Sequence, residues 1–98
     1  MAKLTTVYWR DIPAQVIAKE RRETAKIVLT ERFAEAIDKA AMRAKMAGTD
    51  GYLEQWRREV VNCGRDLQVA ADEAANKLEQ EFDDEKLEAY VKNGGNTP

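Results

Sequence analysis

The chain has 98 residues, 44% hydrophobic and 35% charged, with a net charge of −2, one cysteine and no histidine. These values describe one small folded domain and exclude a disordered tail, an intramolecular disulfide framework and any active site built on histidine. The charge is unevenly placed: residues 1–45 hold ten Lys/Arg against six Asp/Glu, whereas residues 66–98 hold three against nine.

Leu4 to Arg10 is rich in Thr, Val, Tyr and Trp with alternating character, which predicts a strand. Asp11-Ile12-Pro13 breaks it, because Pro13 lacks an amide hydrogen and drives Ile12 from helical geometry. Ala14 to Lys19 predicts a second strand. Residues 20–23 are a charged connection, and Ala25 to Leu29 predicts a third strand in hairpin with the second.

From Thr30, a candidate N-cap, the period becomes helical, with Phe33, Ile37, Ala40, Ala41 and Ala44 on one face. Gly48 closes this helix. Thr49 or Asp50 caps a second, whose stripe is Tyr52, Leu53, Trp56 and Val60, with Trp56 read as core. Beyond Gly64, Asp66 caps a third helix carrying Leu67, Ala71, Ala74, Leu78 and Phe82. Asp83 or Asp84 opens a short last helix through Leu87, Tyr90 and Val91, ended by Asn93-Gly94-Gly95. The expected fold is α+β: one domain over residues 1–98, with about three antiparallel strands in 1–29, three to four helices in 30–92 packed on one sheet face, and a flexible tail at 93–98.

The chemistry is mostly subtractive. Without histidine there is no Ser–His or Cys–His dyad, and a lone cysteine cannot assemble a zinc or iron–sulfur site. No glycine-rich loop is placed to hold phosphate. Glu79, Glu81, Asp83, Asp84 and Glu85 form an acidic run, but its spacing is not that of a calcium loop, and solvated helix surface with capping explains it. Cys63 lies near Arg57, Arg58 and Arg65 in sequence, yet nothing resembling a general base accompanies it, which favours an incidental thiol. No cofactor or metal site is expected. The N-terminus lacks the apolar stretch of a signal peptide, no run approaches a membrane span, and the single cysteine suits a reducing compartment; a soluble cytoplasmic protein is the expectation.

Surface chemistry remains. Lys19, Arg21, Arg22 and Lys26, with Arg10, form a basic segment beside the sheet, and Tyr8 and Trp9 are close to it in sequence. Adjacent strand residues point to opposite faces, so one of Tyr8 and Trp9 is core and the other marks a contact surface. The leading expectation is an interaction module that binds another protein, or a second copy, through Tyr8, Trp9, Arg10, Arg21, Arg22 and Lys26. The alternative is a small-anion or cofactor-binding protein using the same arginines and aromatics. Nucleic acid is disfavoured by the acidic second half.

Three stretches, residues 7–16 (Val-Tyr-Trp-Arg-Asp-Ile-Pro-Ala-Gln-Val), 31–44 (Glu-Arg-Phe-Ala-Glu-Ala-Ile-Asp-Lys-Ala-Ala-Met-Arg-Ala) and 52–58 (Tyr-Leu-Glu-Gln-Trp-Arg-Arg), give the chain its distinctive wording. Through them residues 3–92 resemble the small bacterial virulence factor domain family, a domain also found at the end of the larger conserved virulence factor C proteins. The chain departs from that pattern around residues 60–65. The resemblance implies an accessory protein to folate- and corrinoid-linked one-carbon enzymes, and supplies no active-site residues.

Overall fold

A computed structural model of the chain describes residues 2–46, 48 and 50–98. The chain runs β1 (Lys3–Trp9), β2 (Ile12–Glu20), β3 (Glu23–Val28), α1 (Glu31–Arg43), α2 (Asp50–Glu54), β4 (Trp56–Asn62), α3 (Leu67–Glu81) and α4 (Asp84–Lys92). The four strands form one antiparallel sheet in the order β3-β2-β1-β4. The fold is α+β as expected, with one strand more.

That extra strand corrects the reading of residues 52–60 as a helix. α2 is a five-residue remnant, and Trp56-Arg57-Arg58-Glu59-Val60-Val61-Asn62 is extended. Trp56 and Val60 are four residues apart, a spacing that satisfies a helical face and a strand face alike. Tertiary pairing decides between them: β1 offers an edge against which all seven residues of β4 pair without interruption, from Trp9↔Trp56 to Lys3↔Asn62. The β-branched pair Val60-Val61 suits the pleated surface.

β1 and β2 join through Arg10-Asp11, and β2 and β3 through Arg21-Arg22. In both turns the first residue takes φ +54°, the left-handed region that costs an L-residue about 1–2 kcal/mol. Near its start β2 bulges: Val7 pairs with Gln15 but Tyr8 with Pro13, leaving Ala14 as an extra residue. Pro13 is tolerated because β3 ends opposite Gln15 and demands no hydrogen bond from position 13.

Pairing partners share a face, so Leu4 and Thr6 lie with Val16, Ala18, Ala25 and Ile27. Val16, Ala18 and Ala25 are buried, and this face is covered by α3 across β2 and β3 and by α1 at β2, with α4 packed on α1. Phe33, Ile37, Ala40 and Ala41 from α1, Leu67, Ala71 and Ala75 from α3, and Leu87 and Tyr90 from α4 complete the core with Trp9, Ile12 and Phe82. Phe82 sits edge-on between Phe33 and Tyr90, at 5.9 and 5.1 Å.

The caps follow the sequence. The Asp66 carboxylate accepts from the Val69 amide at 3.1 Å and that of Asp83 from the Lys86 amide at 2.7 Å. Thr30 occupies the N-cap of α1, but its hydroxyl donates to Glu79 of α3 at 2.9 Å instead of capping its own helix. Thr49, the other candidate cap for α2, lies outside the described residues. Residues 93–98, read as a tail, are held against the β1–β2 turn: the Asp11 amide donates to the Gly95 carbonyl at 2.9 Å, and the Thr97 amide and hydroxyl donate to the Asp11 carboxylate at 2.7 and 2.9 Å.

Candidate interaction surface

The second face of the sheet is covered at one end, where Trp9, on this face with Val7 and Trp56, lies buried beneath Tyr52 of α2 and Gly95; beyond that end Lys3, Lys19, Lys26 and Val28 are exposed. Register places Lys3, Thr5 and Val7 of β1 beside Lys19, Ile17 and Gln15 of β2, then Thr24, Lys26 and Val28 of β3. On the other side it adds Arg58, Val60 and Asn62 of β4, with Trp56 at the strand end. The result is a basic and apolar surface with no carboxylate on it. Lys3, Lys19, Lys26 and Arg58 are exposed, and none of the ion pairs among the described residues includes any of them. Lys3 Nζ donates to Asn62 Oδ1 at 2.6 Å, which ties β1 to β4 without neutralising the charge. Between these cations Val28 is 66%, Val60 57% and Trp56 36% exposed, and Val7, Gln15, Trp56 and Arg58 line a shallow groove.

Such a face can hold a partner with apolar side chains and carboxylates, because burying the valines and Trp56 supplies affinity while the cations supply orientation and attraction at a distance. Among the described residues no three His, Cys, Asp or Glu converge as metal ligands.

The residues expected from the sequence divide into two groups that the fold keeps apart. Tyr8, Trp9 and Arg10 stand at one end of the sheet and Arg21 and Arg22 at the other, separated by β2, a span of roughly 26 Å at about 3.3 Å per residue. Of the basic segment, Lys19 and Lys26 lie on the open face.

Trp9 is the core member of the Tyr8–Trp9 pair, at 0% exposure, and so cannot anchor a partner. Its indole Nε1 donates to the Tyr52 carbonyl at 2.9 Å, and its ring lies 5.6 Å from that of Tyr52. Tyr52 in turn meets Trp56 edge-on at 6.1 Å. Trp56, read as core, is therefore the tryptophan at the surface: an edge strand has neighbours on one side only. Tyr8 is half-buried under the Arg57 guanidinium, which lies 4.4 Å above its ring. Burial, then the Glu59 carboxylate, push its hydroxyl above the usual 10.0.

Arg10 is a clamp. Its guanidinium donates to Gln55 Oε1 at 3.2 Å, the Gly94 carbonyl at 2.9 Å and Met46 Sδ at 3.1 Å, and lies 5.3 Å from the Trp9 ring. Arg57 Nε donates to the Arg10 carbonyl at 2.7 Å and Nη2 to Asp11 Oδ1 at 3.0 Å. The Thr97 amide first, with its hydroxyl and Arg57, holds the Asp11 carboxyl below its usual 3.8. Arg21 and Arg22 are exposed and take part in none of the hydrogen bonds or ion pairs among the described residues.

Three members of the acidic run have structural tasks. Glu79 pairs with Arg32 at 3.0 Å and accepts from Thr30, Asp84 lies 3.5 Å from Arg32, and Asp83 caps α4. Burial alone would raise the Glu79 carboxyl, but Thr30 and Arg32 outweigh it and hold it below 4.5. Cys63 is half-buried against the core, its amide donating to the Ala2 carbonyl at 3.1 Å.

Trp56, Arg58, Val60 and Val28 are the surface residues that the sequence reading missed. Residues 56–62, Trp-Arg-Arg-Glu-Val-Val-Asn, do not alternate, so the β-branched pair Val60-Val61 was the one strand signal there, and the helical spacing of Trp56 and Val60 masked it. Among the described residues no helix is long and apolar enough to cross a membrane.

A family model described as Virulence factor matches residues 7–91, most of the chain and all eight elements at least in part. No curated protein and no solved structure matches. The chain belongs to the Virulence factor family.

Proposed function

We propose that this chain is a non-enzymatic interaction module that docks an acidic partner protein on the open part of the second face of its sheet. One observation carries the reading: four cations, Trp56 and three exposed or groove-lining valines share that face with no carboxylate. With the one-carbon association that the family resemblance implies, the partner class is an enzyme of folate or corrinoid metabolism, and this chain its accessory subunit. A protein fits the face better than nucleic acid, because its aliphatic content is high, a single aromatic is available for stacking, and the chain carries net charge −2.

The small-anion alternative needs Tyr8, Trp9 and Arg10 to converge with Arg21 and Arg22. Trp9 is buried, Arg10 is occupied and the other two arginines are at the far end, so no observation favours that reading.

The test is affinity capture from the native host, followed by binding of the purified partner. Wild type should hold one protein stoichiometrically, more weakly as salt rises, and lose it with Lys19→Glu/Lys26→Glu or with Trp56→Ala. Absence of a stoichiometric protein, equal retention by the variants, or loss of capture on nuclease treatment would sink the proposal.

A further inference from the structure

β4 is an edge strand whose defence is charge alone, on Arg57, Arg58 and Glu59. It is regular over seven residues, contains no proline or bulge, and every one of its residues is exposed. The backbone shows which of its groups are spare. Arg10 N donates to the Gln55 carbonyl and Cys63 N to the Ala2 carbonyl, both at 3.1 Å, and these bonds extend the β1–β4 ladder at its two ends. In an antiparallel ladder hydrogen-bonded pairs recur at every second residue. Arg57, Glu59 and Val61 therefore turn their amide and carbonyl groups to β1, while Trp56, Arg58 and Val60 turn theirs outward.

We infer that β4 pairs antiparallel with β4 of a second copy about a two-fold axis at Arg58, joining two four-stranded sheets into one. A two-fold axis normal to the sheet keeps each face continuous, so opposed residues must come from the same face. That restricts the register to one centred on a residue. Centred on Arg58, the spare groups of Trp56, Arg58 and Val60 meet those of Val60, Arg58 and Trp56 of the second copy. On one face Trp56 then lies opposite Val60 twice. On the other, Arg57 lies opposite Glu59 twice, in the closer, non-hydrogen-bonded kind of pair. Arg57 and Glu59 already approach to 3.3 Å along their own strand, so the pairing makes a square of alternating charge. Arg58 meets its own copy only across the wider kind of pair.

The neighbouring registers are poorer. Centred on Glu59, two carboxylates face each other at the closest spacing and Trp56 meets Asn62. Centred on Val60, Trp56 has no opposite residue and both ion pairs are lost. Self-complementarity of charge and apolar area in one register is why a second copy, and not an unrelated strand, is the occupant. The open basic face is left uncovered and continuous across both copies, so this inference stands apart from the proposed function.

Sedimentation velocity from about 1 µM to about 1 mM, the range in which a modest interface associates, tests it. Wild type should approach twice the 11.1 kDa chain mass as concentration rises. Val60→Pro removes an outward amide that β1 does not use, so it should stay folded and monomeric. Glu59→Arg should weaken association at least tenfold. Hydrogen exchange on wild type needs no variant: the amides of Arg58 and Val60 should gain protection with concentration, while those of Glu59 and Val61 are protected throughout. A wild-type monomer at 1 mM, unprotected Arg58 and Val60 amides there, or a folded Val60→Pro dimer would overturn it. Because Glu59 lies on the face opposite Lys19, Lys26 and Arg58, partner capture by Glu59→Arg separates this failure from failure of the docking face.

Discussion

The two hairpin turns of the sheet have the same length and the same strained start, and they are used in opposite ways. Arg10 and Arg21 both sit at φ +54°. Around Arg10 the strain is held by Gln55, Met46, Gly94, Arg57 and the Trp9 ring, which draw the α1–α2 connection, β4 and residues 94–97 onto one point. Around Arg21 nothing comparable is present among the described residues. The lesson is that a local conformation, or a cluster of arginines in sequence, does not say whether a turn is a fastening or a free end. What converges on it from elsewhere in the chain says so.

The contrast can be broken most forcefully at Gly95. Its φ is +98°, and a Cβ there would lie 2.7 Å from Trp9 Cζ3. Gly95→Ala should lose about 2–4 kcal/mol through backbone strain and overpacking, a large part of the roughly 5–10 kcal/mol margin of a domain this size. Urea denaturation should show the midpoint fall with the slope kept; an unchanged midpoint would mean that the tail does not rest on Trp9.

Arg10→Gly comes next. It relieves the left-handed strain but removes charge-assisted bonds to Gln55 and Gly94, so a net loss of about 1–3 kcal/mol is expected by the same measurement. A stabilised variant would show that the clamp contributes nothing.

Asp11 makes the same end sensitive to acid. Its folded carboxyl titrates below the ordinary 3.8, so its contribution is present above that value and is lost as pH falls through the lowered folded one. Glu79, held below 4.5, acts in the same direction. Stability measured from pH 6 down to pH 3 should therefore fall, and Asp11→Asn should lie below wild type at pH 6 and converge with it in acid. Parallel curves would remove Asp11 from the fastening.

The smallest effect has the opposite sign. Arg21→Gly gives up no contact seen in the structure and removes the strain, offset by the greater chain entropy of glycine, so a gain of roughly 0.5 kcal/mol is expected. A loss there would mean that Arg21 has a structural task after all.

The sequence by itself determined that three strands come first, but it placed the first turn at Asp11-Ile12-Pro13, where the structure turns at Arg10-Asp11 and Ile12 and Pro13 open β2. It determined the α3 and α4 starts, because Asp66 and Asp83 cap through bonds only three residues long. The absence of histidine-based chemistry was also legible, being a property of the whole composition. What only the tertiary structure decided was non-local. β4 is a strand because β1 had an edge to offer, and Trp9 is inside with Trp56 outside because one strand is central and the other terminal. Arg10 and Asp11 fasten residues 94–97 because chain ends more than eighty positions apart meet there. A contact of that separation leaves no spacing in the sequence from which to read it, since its partners are set by packing and not by periodicity.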